Sequence, residues 1–302
     1  MSQEQREALE TMLRDGPLDL GGDVQQQRAI FAEMMQAIPV SDDVTATPGT
    51  LGGVPVVHID VPASDPAHVI FYLHGGAYAI GSADSSVGMA SDLARRSGTR
   101  AVSVDYRLAP ENPYPAGLED AVAAYAALIN DRAADAQVAI AGESAGAGLA
   151  VATLLALKNA GLPLPSAVIL MSPWADLTLS GESIAGKAAV DPALTPDGLR
   201  RRAADYVAGS DPTDGLVSPV FGDLEGLPPL LIQVGSHEIL LDDATRLAAS
   251  AAAADVAVTL QVTPEVPHVF QGFAIMLDEA GAALTSAADF LRAHLDDAQS
   301  AA

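Results

Sequence analysis

The sequence predicts an α/β protein in which a mostly parallel sheet is wrapped by helices, and three observations carry that prediction. After the first forty residues, short β-rich runs alternate with longer helical ones. The central runs are continuously apolar, as strands covered on both faces should be. Hydrophobic residues make up 49% of the 302 and charged residues 18%. One domain with insertions can therefore bury the large core this architecture needs.

The elements follow in chain order. Residues 1–40 stand outside the alternation and hold an amphipathic helix with Val24, Phe31, Met34, Met35 and Ile38 roughly on one side. Strands are expected over VPVVHIDV (54–61), VIFYLH (69–74), AVSVDY (101–106), QVAIAG (137–142), AVILMSP (167–173), PLLIQVG (229–235) and VAVTLQV (256–262). Helices over 85–97, 116–132, 145–160, 241–254 and 280–295 lie between most of them. Residues 176–215 are a second departure, since they separate two strands by far more than an ordinary loop. Within them Thr195-Pro196-Asp197 reads as a helix start, with Pro at the first helical position. Both departures suit extra packing helices or a cap over the active end of the sheet.

Charge narrows the function. Against 39 acidic residues stand 15 basic ones, a formal charge of −24. Such a surface repels nucleic acid and anionic membrane and favours a small neutral substrate. The chain has no cysteine, which excludes disulfides and thiolate metal sites. Its six histidines fall in no metal-binding spacing: His237-Glu238 is followed by Ile239, Leu240 and Leu241. The N-terminus MSQEQREALE is too charged for a signal peptide, and no apolar segment reaches a membrane span. A cytoplasmic protein without metal or cofactor is expected.

The chemistry starts at Gly142-Glu143-Ser144-Ala145-Gly146, between a strand and a helix. A G-x-S-x-G turn in that setting holds a serine in strained backbone geometry at the C-terminal edge of a sheet, beside the positive end of the next helix. Ser144 is thus the candidate nucleophile. His74-Gly75-Gly76-Ala77-Tyr78 ends an earlier strand. Consecutive glycines there can aim bare N–H groups at a developing oxyanion, so Gly75, Gly76 and Ala145 are the expected donors. The order Ser, acid, His then selects His268 as general base, in the loop VTPEVPHVFQGF. For the acid, Glu238 lies in the loop after a strand, whereas Asp242 and Asp243 stand where a helix begins and read as first-turn charges. Glu238 is therefore taken to orient His268, with Asp242 as the alternative.

HGGAY, DYRLAPENPYPAGLEDA (105–121), GESAG and PHVFQGF together resemble the hormone-sensitive-lipase group of α/β-hydrolases, the bacterial family IV esterases. The likeness runs over about residues 40 to 295. It implies an α/β-hydrolase fold with an eight-stranded, mostly parallel sheet, and hydrolysis of short-acyl carboxylic esters without cofactor. It also implies a helical cap made by residues 1–45 with 176–215, over a catalytic core of 46–175 and 216–302. The triad of the family falls on Ser144, Glu238 and His268, thirty residues separating acid and base. Three positions depart from the family: Glu238-Ile239-Leu240 replaces its Asp-Pro-Leu, HGGA replaces HGGG, and Glu143 stands where Asp is commoner. Lactone hydrolysis would use the same triad, and a non-catalytic relative would lack His268. Family analogy and the exposed last strand, 256–262, lead us to expect a homodimer through that edge.

Overall fold

The computed structural model describes residues 3–131 and 137–300. Its elements are α1 (Gln3–Arg14), α2 (Val24–Gln36), β1 (Thr45–Leu51), β2 (Val54–Asp60), β3 (His68–Leu73), α3 (Val87–Ser97), β4 (Arg100–Val104), α4 (Ala116–Asn130), β5 (Gln137–Glu143), α5 (Ala145–Asn159), β6 (Ala167–Met171), α6 (Ser183–Gly186), α7 (Pro196–Val207), β7 (Leu230–Gly235), α8 (Leu241–Ala253), β8 (Val258–Thr263) and α9 (Asp278–Ser300). The helix expected over 116–132 stops at Asn130, and residue 132 lies outside the described residues.

The strands form one sheet in the order β1-β2-β4-β3-β5-β6-β7-β8. β2 pairs antiparallel with both β1 and β4, and every later pairing is parallel. This is the α/β-hydrolase fold with the expected eight-stranded, mostly parallel sheet. Alternate residues of each central strand serve the two faces. Val69, Phe71 and Leu73 of β3 join a core shared with α4, α5 and α8, while Ile70 and Tyr72 join one shared with α3 and α9. Because both faces are covered, β3, β6 and β7 are buried at every position.

Three local outcomes differ from the sequence expectation. Residues 1–40 hold two helices, not one, and the apolar side of α2 is only half-buried. Strand β1 was not expected: TATPGTL is mostly exposed at the sheet edge and joins β2 through Gly52 and Gly53, both at positive φ. The run 167–173 stops at Met171, since Ser172 turns to φ 46°. Thr195 does cap α7, accepting the Gly198 N–H, with Pro196 first in the helix.

The two segments outside the alternation touch each other and the sheet's C-terminal edge. Arg201 of α7 donates to Gly21 O at 2.7 Å, and Arg28 of α2 donates to Ala79 O at 2.8 Å. Tyr206 of α7 stacks on Tyr78, ring centroids 3.9 Å apart. In the insertion, Ser183 Oγ donates to Ile239 O at 2.7 Å, and Asp191 Oδ2 accepts the Ile239 N–H at 2.8 Å.

Candidate active site

Register brings the site together. Leu73 pairs with Gly142, Glu143 with Met171, Met171 with Gln233 and Gly235 with Thr263. The parallel strands thus end nearly level, and the loops after β3, β5, β6, β7 and β8 open at one edge, where α/β proteins carry their sites.

Ser144 sits at φ 54° and ψ −122° between β5 and α5. A non-glycine residue there costs of order 1–3 kcal/mol, which its surroundings must offset. The Ser144 N–H donates to Met171 O at 2.9 Å, and its carbonyl accepts from Ala147, Gly148 and Trp174. The turn closes only because its glycines lack side chains. A Cβ on Gly146 would lie 2.1 Å from Leu73 O, and one on Gly142 would lie 2.6 Å from Gly146 O.

His268 Nε2 lies 2.9 Å from Ser144 Oγ, and its Nδ1 lies 2.6 Å from Glu238 Oε2. A carboxylate can only accept, so Nδ1 carries the proton and Nε2 presents its lone pair to the serine hydroxyl. Glu238 is fully buried; its Oε1 accepts from the Gly235 N–H at 2.7 Å and from Ser172 Oγ at 2.8 Å. Ser172 Oγ in turn accepts the Val269 N–H at 3.0 Å. Ser172 therefore ties Glu238 to the residue beside His268.

Comparisons with known proteins bear on the fold and the family. Residues 70–272 match the family model described as alpha/beta hydrolase fold. The chain is 43% identical over 276 residues to an acetyl-hydrolase of Streptomyces hygroscopicus, covering 90% of each. It superposes with TM-score 0.93 and 39% identity on a crystal structure of an esterase from the bacterial hormone-sensitive lipase family, covering 98% of this chain and 99% of that one. The chain belongs to the hormone-sensitive-lipase family of esterases. The esterase EstE5, in a crystal soaked with p-nitrophenyl butyrate, is likewise similar, with TM-score 0.92 and 36% identity over 98% of this chain and all of that one.

In this esterase one expected oxyanion donor is corrected. The Gly75 N–H is already engaged by Glu143 Oε1 at 2.7 Å and cannot point at a substrate. The next two N–H groups, on Gly76 and Ala77, find no acceptor among the described residues, and neither does that of Ala145 at the first position of α5. Gly76, Ala77 and Tyr78 all have positive φ, at 109°, 53° and 58°. A Cβ on Gly76 would meet Ile80 O at 2.2 Å. Ala77 thus joins Gly76 and Ala145 in presenting a free N–H, and no glycine marks it in the sequence.

The other acids near the site have separate duties. Asp242 Oδ2 accepts the Ser183 N–H at 2.8 Å, and buried Asp243 Oδ2 accepts the N–H groups of Ala175 and Asp176, each at 2.8 Å. Both stand in the first turn of α8, as their position suggests, and both also reach across to hold the 175–183 segment. Burial pushes the Asp243 carboxyl well above the usual carboxylate range.

His74 is also buried, stacked on Tyr106 at 4.2 Å, and burial lowers it to about 4, so it stays neutral. Tyr106 anchors the end of β3 by donating to His74 O at 2.6 Å. Asp105 accepts the Ala83 N–H at 3.0 Å, which keeps the DYRLAP run structural. Among the described residues no group of His, Cys, Asp and Glu could hold a metal ion, and no helix is long and apolar enough to cross a membrane.

Proposed function

We propose that this esterase hydrolyses short-acyl carboxylic esters, acetyl to octanoyl, through an acyl-enzyme on Ser144. The observation that carries the reading is the unbroken chain from Ser144 Oγ through His268 to Glu238, at 2.9 and 2.6 Å. His268 Nε2 removes the hydroxyl proton as Oγ attacks the ester carbonyl. Gly76, Ala77 and Ala145 donate to the oxyanion, and each preorganised donor is worth about 3 kcal/mol at the transition state. Glu238 holds the tautomer and stabilises the imidazolium, which then protonates the leaving alcohol. Water, activated by the same imidazole, releases the acid.

Residues 1–45 and 176–215 act as the cap in this reading, supported by the contacts of Arg201 with Gly21 and of Tyr206 with Tyr78. Their small helices favour short acyl chains over long ones. The acetyl-hydrolase relative and the butyrate-soaked EstE5 point the same way.

A p-nitrophenyl ester series from acetyl to palmitoyl, run beside lactones and amides, tests the reading. Rates should be highest on the short esters and vanish in Ser144→Ala, and an organophosphate should leave one adduct, on Ser144. Highest activity on palmitoyl esters, or on lactones with no ester turnover, would overturn it.

A further inference from the structure

Glu143 has no part in the proton relay, yet its side chain joins the two loops the reaction needs. It ends β5, immediately before Ser144, and its Oε1 accepts the Gly75 N–H at 2.7 Å. Its Oε2 is buried and has no hydrogen-bond partner among the described residues. The carboxyl interacts electrostatically with Tyr72 on β3, Tyr106 beyond β4, and His268. The Tyr72 hydroxyl donates instead to Met89 Sδ at 3.1 Å. Gly75 meets Glu143 closely: a Cβ there would lie 3.1 Å from Glu143 O and 3.2 Å from its Cγ.

The oxyanion loop needs such an anchor. Three successive residues after Gly75 hold positive φ, two of them non-glycine. A backbone of that kind relaxes unless its surroundings fix it. Downstream, Gly76 O is held by the N–H groups of Ala79 and Ile80, at 3.0 and 2.8 Å. Upstream, among the described residues, the one side chain holding the loop through its N–H is Glu143.

We propose that Glu143 is a positioning residue that clamps Gly75 and so fixes where the Gly76 and Ala77 N–H groups point relative to Ser144. The inference rests on the reading of Ser144 as nucleophile and deepens it. What the clamp requires is an acceptor atom at Oε1. Burial pushes the Glu143 carboxyl up to about 7, opposed by the nearby Tyr72 hydroxyl and the Gly75 N–H. Near neutral pH a good share of the molecules hold it as the uncharged acid, whose carbonyl oxygen still accepts. Charge is therefore dispensable, and a glutamine should serve.

Two nearly isosteric variants separate acceptor from shape. Glu143→Gln keeps an oxygen for Gly75, whereas Glu143→Met fills the same space without one. On p-nitrophenyl butyrate, Glu143→Gln should keep kcat within about threefold of wild type, while Glu143→Met should lose about 10²-fold in kcat, as for a lost oxyanion donor, with KM within about twofold. Binding of an aliphatic trifluoromethyl ketone, whose adduct with the serine carries the oxyanion, should weaken in Glu143→Met in proportion to kcat/KM. Labelling by a fluorophosphonate and thermal unfolding report whether each variant is folded with a competent Ser144. Equal kcat in the two variants, or a loss confined to KM, would overturn the clamp. An inactive wild type would instead overturn the esterase reading. If Glu143→Met does not fold, loss of trifluoromethyl ketone affinity in Glu143→Gln alone would also refute the claim that an acceptor suffices.

Discussion

Glutamine at position 238 offers the sharpest test of the relay, because the surroundings dictate which way its amide must face. Glu238 Oε1 accepts from the Gly235 N–H, which can only donate, and from Ser172 Oγ. In Glu238→Gln the amide oxygen must occupy that position, leaving the NH₂ where Oε2 stood, 2.6 Å from His268 Nδ1. Two donors cannot face each other, so Nδ1 must give up its proton and the imidazole takes the other tautomer. Nε2 then points an N–H at Ser144 Oγ and cannot act as base. The loss should resemble that of the corresponding acid-to-amide change in a serine-protease triad, about 10⁴-fold or about 5.5 kcal/mol in the barrier. The assay is kcat/KM on p-nitrophenyl butyrate, with circular dichroism to verify the fold. A folded Glu238→Gln within tenfold of wild type would refute the reasoning, and a dead Asp242→Asn beside it would move the acid to position 242.

Other tests follow from the same contacts. Ser172→Ala removes a donor from buried Glu238 and orphans the Val269 N–H, so urea unfolding should show a loss of about 2–4 kcal/mol. Its kcat/KM should fall less than in Glu238→Gln. For Glu143, the folded carboxyl is raised from 4.5 to about 7. Its stabilising contribution is therefore complete below about 4.5 and lost as pH rises to about 7. Relative to wild type, Glu143→Gln should accordingly gain stability between about pH 5 and about pH 8, by at most about 3 kcal/mol; parallel urea-midpoint curves would refute this. Leu260 and Val262 lie exposed on edge strand β8. We propose that they pair two copies, so light scattering should give twice the chain mass for wild type and one chain mass for Val262→Asp.

What the sequence makes legible follows from how locally each feature is encoded. The central strands are short apolar runs, and the elbow is a motif whose glycines are required by contacts within a few residues and one neighbouring strand. That Ser144, Glu238 and His268 would meet was legible because their order along the chain is a consequence of topology. Strand β1 was not, since TATPGTL is a polar edge strand with both a Pro and a Gly, and only its partner β2 defines it. The loop after β3 was legible, but not which of its N–H groups stay free. Glycine pairs show where a backbone can approach an oxyanion, but not that Glu143 reaches back from another strand to engage Gly75. Nor does an alanine disclose that it sits at φ 53°. Ser172 had no signal beyond an apolar run ending at a proline, and Asp243 is an ordinary helix-start acid until the fold buries it.

The grip of the insertion on Ile239 bears on how this scaffold can be re-engineered. Segment 176–215 is the obvious piece to exchange when a different acyl or alcohol preference is wanted. Yet Ser183 and Asp191 hold both the carbonyl and the N–H of the residue next to Glu238. If the segment is the cap proposed above, a transplant lacking those two side chains would change the pocket and release the Glu238 loop together. Chimaeras could then lose turnover for a reason unrelated to the new pocket. A graft that exchanges α7 alone, leaving residues 183–191 in place, would keep the two hydrogen bonds that hold Ile239 beside Glu238.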